Sequence, residues 1–336
     1  DDEAQNRATS VYLVDRVIPM LPETLSNNLC SLRPNEEKLT FSAVFVMNKN
    51  GDIKEEWFGK TITESDVRLS YEEAQHIIET GEVKIPKEHT ILKKEKTVTQ
   101  KTAEAITTLN SIAKTIRKKR INNGAIIFDK TEIKFKLDEK NQPEKILFKT
   151  TKSSNKLIEE FMLLANKKVA EKMRKSKERF VYRVHDQPDQ EKLKNLQTVV
   201  KRLGYNLKLS TKELNESLNS LLKNASGKNE QNLIDTLMIR SMSKAEYTTK
   251  NIGHYGLSFE NYTHFTSPIR RYPDVMVHRL IQAEIEGEKI KTEETESLCK
   301  HSTHMEILAT KAERDSIKLM QIKFMKDKEG KTFDAV

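Results

Sequence analysis

Residues 262–274 read YTHFTSPIRRYPD, the densest run of functional side chains in the chain. The run joins a threonine–serine pair and a proline turn to two adjacent arginines, Arg270 and Arg271. Pro273 follows at a position that suits the first turn of a helix, where its missing amide hydrogen costs nothing. A basic loop that leads into a helix is suited to holding a phosphate. The alternative is that both arginines pair with acids on neighbouring helices.

On both sides of this loop, apolar residues recur at helical spacing. From residue 155 onward the pattern is almost wholly helical, and the predicted helices cover residues 157–174, 191–203, 211–223, 231–242, 273–286 and 292 to about 328. Thr292 is followed by two glutamates. A hydroxyl caps exposed amides and acids oppose the positive end of the helix dipole, so Thr292 is predicted to start the last and longest helix.

The first half of the chain carries strand and turn patterns. The predicted strands cover residues 11–14, 39–47, 53–62, 125–128 and 133–137, with shorter helices at 71–78 and 102–120. The second and third strands flank the sequence Asn-Lys-Asn-Gly-Asp, which predicts a β-hairpin. The sequence therefore predicts an α+β domain, with a mixed sheet in a β-rich first half and a helical second half.

Charge and composition narrow the class of partner. The 336 residues carry 59 Lys and Arg against 50 Asp and Glu, a net charge of +9. This balance favours a polyanion, because each neutralised phosphate releases a counterion. With no apolar run of about 18 residues and no leader pattern in the first twenty, we expect a cytoplasmic protein without a membrane partner. Cys30 and Cys299 are isolated, and we expect buried thiols rather than a zinc site or a disulfide.

The loop at 262–274 resembles the signature of the ribonuclease R and ribonuclease II family, exoribonucleases with an RNB catalytic domain. Five further segments resemble family blocks in the family's order: 9–13 (TSVYL), 18–23 (IPMLPE), 25–32 (LSNNLCSL), 159–166 (EEFMLLAN) and 182–188 (YRVHDQP). The resemblance covers nearly the whole chain. It implies an RNB catalytic domain over residues 1–330, with its helical second half packed around an RNA channel, and the start of an S1 RNA-binding domain at 331–336.

The activity that the resemblance implies is processive 3′ to 5′ exoribonuclease activity. A monomer would hydrolyse single-stranded RNA from its 3′ end to nucleoside 5′-monophosphates, using Mg²⁺ to activate water. The family's metal-binding aspartates precede the segment that residues 1–4 resemble, so we expect a fragment without the metal ligands that is inactive alone. Two alternatives stay open: a non-catalytic module that holds an RNA 3′ end, and a helical scaffold with a basic surface unrelated to RNA.

Two residues match catalytic positions of the family. Arg270 resembles the arginine that grips the scissile phosphate and offsets the charge that develops in the transition state. Glu313, in the sequence Ala-Glu-Arg-Asp, resembles a late catalytic-region glutamate. Without the resemblance, Glu313 would be interpreted as a solvated acid on a long charged helix.

Four residues match RNA-binding positions of the family. Tyr12 and Phe128 resemble aromatics that stack around the RNA 3′ end, and Tyr71 resembles another aromatic of the same cavity. Glu159 resembles an acid that reads a ribose hydroxyl, the group that distinguishes RNA from DNA. Stacking suits a sequence-tolerant enzyme, since every base has a π-face. For each aromatic, the alternative is packing in the core.

Other conspicuous residues receive structural interpretations. The basic stretches at 93–96 and 117–120 could line an RNA channel, but solvated faces are the favoured interpretation. His254 and His264 are interpreted as hydrogen-bonding structural residues and not as general bases, because the chemistry of the family rests on metal-bound water.

Overall fold

A computed structural model describes residues 1–127, 132–176, 179–210, 213–289, 292–326 and 328–332. In these residues the helices are α1 (Asp2–Arg7), α2 (Tyr71–Thr80), α3 (Gln100–Asn122), α4 (Ser153–Met173), α5 (Gln190–Arg202), α6 (Leu214–Ala225), α7 (Gln231–Ser241), α8 (Tyr272–Glu286) and α9 (Thr295–Lys326). The strands are β1 (Val11–Tyr12), β2 (Val17–Ile18), β3 (Glu37–Met47), β4 (Ile53–Glu64), β5 (Lys84–Ile85), β6 (Lys96–Thr97), β7 (Glu132–Leu137), β8 (Pro143–Lys149), β9 (Tyr182–His185) and β10 (Ala245–Thr248). The predicted α+β class is confirmed.

The strands pair as separate antiparallel ribbons of two strands each: β1 with β2, β3 with β4, β5 with β6, β7 with β8, and β9 with β10. The predicted mixed sheet is therefore wrong for the described residues. Most partners are close in sequence, and a short connection permits only antiparallel pairing. Helices pack against several of these ribbons, as α9 does against β1, β8 and β10.

The hairpin of β3 and β4 is the longest ribbon, and its prediction is confirmed. Its turn is held by Asn48, whose side-chain oxygen accepts hydrogen bonds from the backbone N–H groups of Asn50 and Asp52. Gly51 lies between them at φ +76°, a conformation that glycine adopts without strain. One face of β3 packs against the main core through Phe41 and its alternate neighbours.

The main hydrophobic core lies between α4, α8, β9 and the β3–β4 hairpin. It includes the fully buried side chains of Val169, Phe180, Val277 and Ile281. A second core joins α5, α6 and α7 through buried leucines, and a small third core lies beside α2 and α3. Each predicted helix of the second half exists, with boundaries shifted by up to four residues at its start.

Three predictions in the chain are corrected. Residues 125–127 do not form a strand, because their backbone groups bond to the Asn219 side chain and to the carbonyl of Gly256. The last helix begins at Thr295 and not at Thr292. Thr292 lies just before the helix, and its backbone carbonyl accepts a hydrogen bond from the Thr295 amide. Cys30 is exposed, whereas Cys299 is buried as expected.

The membrane prediction can be compared with the helices. No helix in the described ranges is both long enough and apolar enough to cross a membrane.

Candidate functional site

The loop at 262–271 is held in shape by a buried asparagine of α4. The side-chain oxygen of Asn166 accepts hydrogen bonds from the backbone amides of Phe265 at 2.9 Å and Thr266 at 3.2 Å. Its amide nitrogen donates to the Tyr262 hydroxyl at 3.1 Å. A buried amide without a partner is costly, so these bonds define the path of the loop.

A buried carboxylate fixes the other end of the loop. Asp274, in the first turn of α8, is fully buried, and its Oδ1 accepts from the Ser267 amide at 2.7 Å and from the Arg271 guanidinium at 2.8 Å. Burial raises the pKa of Asp274, and the Arg271 charge opposes that rise. Arg271 is therefore paired with an acid in the first turn of the helix that follows it, and not with an acid on a neighbouring helix as the pairing alternative predicted.

Arg270 differs from its neighbour. Its side chain is exposed, and its guanidinium makes one long hydrogen bond, 3.4 Å, to the Ser267 hydroxyl. No carboxylate in the described ranges lies within salt-bridge distance of it. The Arg270 side chain is thus available to an anion, while its backbone is fixed by the buried groups on both sides of it.

The start of the chain connects Arg270 to Glu313. The backbone amide of Ser10 and the hydroxyl of Thr9 both donate to the Arg270 carbonyl, at 3.1 and 3.2 Å. Two residues further on, the Tyr12 amide donates to Oε1 of Glu313 on α9 at 2.8 Å. Two residues of extended chain span about 7 Å. The structure therefore brings three of the sequence-predicted residues together around β1.

The side chains in this group remain accessible. The Tyr12 ring is 47% exposed, so core packing is not its role. Glu313 is partly buried, and its second carboxylate oxygen makes no hydrogen bond in the part of the chain that the structure describes. A guanidinium, a carboxylate and an aromatic face that are all positioned from the main chain around β1 can bind a phosphate, a hydroxyl and a base.

Tyr71 and Glu159 lie on α2 and α4, two helices that pack against each other. Tyr71 begins α2 after a capping box made by Ser70 and Glu73, and its ring is 43% exposed with the Lys149 ammonium 5.9 Å from its centroid. Glu159 lies half-exposed on α4. No hydrogen bond or ion pair among the described residues joins Tyr71 or Glu159 to Arg270 or Glu313. Phe128, the remaining predicted aromatic, lies outside the described residues.

The buried acid beside Glu159 was not found from the sequence. Glu160 is 1% exposed and pairs with Arg120 of α3, Nε to Oε2 at 3.2 Å, and with Arg117 at 3.4 Å. The Glu159 carboxylate is more distant from the same two guanidinium groups, at 3.6 Å from Arg120 and 3.7 Å from Arg117. The solvated-face interpretation is therefore wrong for Arg120, although Lys118 is exposed as expected. Two adjacent acids give no sequence signal for which is buried.

The structural interpretation of the two histidines is confirmed. His264 is partly buried, and its Nδ1 lies 2.7 Å from the Tyr247 hydroxyl. Nδ1 of His254 accepts from the Leu257 amide. Burial lowers the pKa of both rings, to about 3 for His254, with a smaller contribution from nearby His185 and Arg183 in that case. Both histidines are therefore neutral at physiological pH.

A metal ion would need several His, Cys, Asp or Glu side chains close together. In the described ranges, no group of three or more His, Cys, Asp or Glu side chains is arranged to hold a metal ion. The Mg²⁺ implied by the resemblance does not fit a ligand set in these residues, and no step of the proposed reaction can be assigned through it here.

Comparison with known proteins places these features in context. The family model for the RNB domain matches residues 1–287 of this chain. Ribonuclease R of Aquifex aeolicus is 35% identical over 337 residues, which cover 99% of this chain and 46% of that protein. Ribonuclease R of Escherichia coli is 33% identical over 349 residues, covering 100% of this chain and 42% of that protein. The chain thus spans somewhat less than half the length of these curated relatives.

A solved structure agrees with the sequence comparison. Mycoplasma genitalium RNase R, in complex with ribose-methylated single-stranded RNA, superposes with a TM-score of 0.89 and 27% identity. The superposition covers 99% of this chain and 52% of that chain. The similarity therefore extends over the fold as a whole and is not confined to the loop at 262–274.

Proposed function

The chain belongs to the RNB-domain family, and from that membership we propose that it serves a processive 3′ to 5′ exoribonuclease. The substrate would be single-stranded RNA, shortened from its 3′ end to nucleoside 5′-monophosphates. Residues 1–330 would be the catalytic domain, and residues 331–336 the start of an S1 RNA-binding domain. The protein would act as a cytoplasmic monomer.

The observation that carries the proposal is the convergence at β1. Residues 9–12 hydrogen-bond to the Arg270 carbonyl and to the Glu313 carboxylate, about two extended residues apart. An accessible guanidinium on a rigid loop can bind the scissile phosphate and stabilise the charge that develops on it. Because the loop is fixed before substrate arrives, little reorganisation opposes binding.

The other predicted residues receive roles around the terminal nucleotides. The half-exposed rings of Tyr12 and Tyr71 offer faces on which bases stack, and Phe128 would be a third such ring. The exposed carboxylate of Glu159 would accept a hydrogen bond from a ribose 2′-hydroxyl. Hydrolysis to a 5′-monophosphate joins a water oxygen to phosphorus and breaks the bond between phosphorus and O3′ of the preceding nucleotide. Glu313 would orient groups beside that phosphate.

Family membership implies a divalent cation, which would activate water when bound. The described residues offer no three-ligand cluster for it. We therefore propose that residues 1–336, tested alone, bind an RNA 3′ end without cutting it. The same observation favours the alternative function, a non-catalytic module that holds RNA 3′ ends.

RNA binding by Arg270→Ala tests the proposal. We expect the variant chain to bind a single-stranded 12-mer at least about tenfold more weakly in fluorescence anisotropy, because a charge-assisted contact to phosphate is lost. Arg202→Ala is the matched control, since it removes an exposed arginine at the end of α5. Its affinity should stay within about twofold of wild type.

The alternatives give different results in the same assay. Cleavage of 5′-labelled RNA by the parent protein with Mg²⁺, stopped by Arg270→Ala, supports the exoribonuclease. Binding without cleavage by the parent protein supports the non-catalytic module. Equal affinity of the Arg270→Ala and Arg202→Ala chains would contradict both and leave the scaffold interpretation.

A further inference from the structure

The chain contains two Asn-Gly dipeptides, Asn50-Gly51 and Asn123-Gly124. In such a dipeptide the backbone nitrogen of the glycine can attack the side-chain carbonyl carbon of the asparagine, because the glycine has no Cβ to obstruct the approach. The attack expels ammonia, and it is one reason why asparagine is a thermolabile residue. The two dipeptides are identical in sequence, so their surroundings in the fold determine which one reacts.

The two sites agree in exposure and in the bonds made by their amide hydrogens. Both asparagines are exposed, and neither side chain makes a hydrogen bond within the ranges that the structure describes. Gly51 donates its backbone N–H to a carbonyl of its own turn, and Gly124 donates to a carbonyl in the last turn of α3, each at 2.9 Å. The attacking nitrogen is therefore engaged to the same extent at both sites.

The carbonyl oxygens distinguish the two sites. At the second site the Asn123 carbonyl accepts from the Ser258 hydroxyl at 2.6 Å, and the Gly124 carbonyl accepts from the side-chain amide of Asn215 at 2.7 Å. The two corresponding carbonyls of the first site accept no hydrogen bond from the part of the chain that the structure describes. Ring closure turns the peptide plane between the asparagine and the glycine, so it breaks bonds at the second site that the first site does not have.

The hydrogen bonds that hold the first site are local, whereas the carbonyl bonds of the second site are long-range. In the β3–β4 turn, the bonds of residues 48–51 join groups within residues 48–52. Asn215 and Ser258 are 91 and 135 residues from the carbonyls that they bind. A turn held by its own groups opens without breaking tertiary hydrogen bonds, so its local opening costs less.

We propose that Asn50 is a site of spontaneous deamidation through a cyclic imide, and that the fold protects Asn123 from the same reaction. A bond forms between the Gly51 nitrogen and Cγ of Asn50, the bond between Cγ and Nδ2 breaks, and ammonia leaves with the proton of the Gly51 amide. Water then opens the ring. Its addition at Cγ yields aspartate, and its addition at the backbone carbonyl carbon yields isoaspartate.

The balance of this reaction is one water consumed and one ammonia released, with no change of oxidation state. Either product replaces an amide by a carboxylate, so it lowers the net charge of +9 by one. The reaction needs neither RNA nor a metal ion, and it is therefore independent of the proposed function.

Incubation of the folded and the unfolded chain tests this proposal. The wild-type chain is kept at mildly alkaline pH with and without denaturing urea, and peptide mapping by mass spectrometry follows the conversion of amide to carboxylate at both sites. In the folded chain we expect Asn50 to react at least about fivefold faster than Asn123, because two further hydrogen bonds hold the second site. In urea the two rates should agree within about twofold, since the protecting contacts are lost.

A variant tests the cause of the protection. Ser258→Ala removes the donor to the Asn123 carbonyl, and we expect deamidation at Asn123 to accelerate at least about twofold while the rate at Asn50 in the same sample stays unchanged. Equal rates in the folded wild type, or a faster Asn123, overturn the proposal. A difference that persists in urea overturns protection by the fold. Aspartate without isoaspartate at residue 50 overturns the cyclic imide, because direct hydrolysis of the side-chain amide yields aspartate alone.

Discussion

Two buried ion pairs hold the two halves of the candidate site, and they do so in different ways. Asp274 pairs with Arg271 three residues away and also accepts from the Ser267 amide, so its carboxylate shapes one loop. Glu160 pairs with Arg120, 40 residues away, so its carboxylate joins α4 to α3. Both carboxylates are almost completely buried. The first pair is local and organises backbone, whereas the second is long-range and organises helices.

The two ion pairs share one arrangement despite this difference. Each pair includes a residue that is adjacent in sequence to an exposed residue predicted to contact RNA: Arg271, whose side chain is only 16% exposed, follows Arg270, and the buried Glu160 follows Glu159. The buried residue fixes the main chain, and its neighbour then projects into solvent from a rigid position. Preorganisation of this kind lowers the cost of binding. The consequences of breaking each pair should therefore differ in size and in the RNA contact that is lost.

The largest effect is expected at the local pair. Asp274→Ala would leave the Arg271 charge buried without its partner and the Ser267 amide without an acceptor. We expect the free energy of unfolding to fall by about 3–5 kcal/mol in urea denaturation. RNA affinity under native conditions should fall as well, because the backbone of Arg270 loses its anchor.

A double variant separates charge from packing at this pair. Arg271→Met/Asp274→Leu removes both charges, and we expect it to recover most of the lost stability. RNA affinity should stay low, because a leucine side chain cannot accept a hydrogen bond from the Ser267 amide. Full recovery of RNA affinity in the double variant would show that the loop does not depend on this carboxylate.

A smaller effect is expected at the long-range pair. Glu160→Gln keeps the shape of the side chain but leaves Arg120 with only the more distant Glu159 carboxylate. We expect a loss of about 2 kcal/mol, since a buried charged donor is left partly unsatisfied. Glu159→Gln is the matched control and should cost under about 1 kcal/mol, because that carboxylate is half exposed.

In RNA binding we expect the opposite order for these two adjacent acids, with the larger effect at Glu159. Glu159→Gln should reduce the preference for RNA over DNA of the same sequence, measured as a ratio of affinities, because it weakens the acceptor for a 2′-hydroxyl. Equal losses of stability in the two variants would mean that the assignment of buried and exposed roles is wrong.

The smallest effect is expected in the pH dependence of stability, and it involves His254 beside the loop at 262–271. The His254 ring packs edge-on against Tyr262, 5.3 Å between centroids, at the start of the loop. Its folded pKa of about 3 lies below the unfolded value of about 6.5, so the unfolded chain binds the extra proton between these values. The stability that neutral His254 contributes is complete above about pH 6.5 and is lost as the pH falls toward 3.

Substitution should therefore flatten the pH dependence. From pH 6.5 to 5.5 we expect His254→Asn to reduce the fall in the free energy of unfolding by about 1 kcal/mol relative to wild type. His304→Asn, at an exposed position on α9, is the control and should keep the wild-type slope. An unchanged slope in His254→Asn would mean that the ring is not buried and neutral as described.

Local patterns were sufficient for most of the fold. Helix α8 was predicted because Pro273 suits a first turn and apolar residues follow it at helical spacing, and the β3–β4 hairpin because an Asn/Gly turn separates two apolar strands. Residues 125–127 were mispredicted as a strand because their β-branched residues indicate a pleated surface. Their backbone partners are instead a side chain of α6 and a distant turn, which no local pattern reveals.

The site shows the same division between local and long-range information. The motif at 262–274 marked Arg270, and the family resemblance added Tyr12 and Glu313. The sequence did not indicate Asn166, whose importance depends on two amides about 100 residues away.

The sequence by itself determined the class, the family and the residues capable of the chemistry, because helix capping, turn chemistry and short motifs act within a few residues of one another. Only the tertiary structure decided which of two adjacent charges is buried and which faces solvent, at 159–160 and at 270–271. That choice depends on long-range partners such as Arg120, and on the large cost of burying any charge that lacks one.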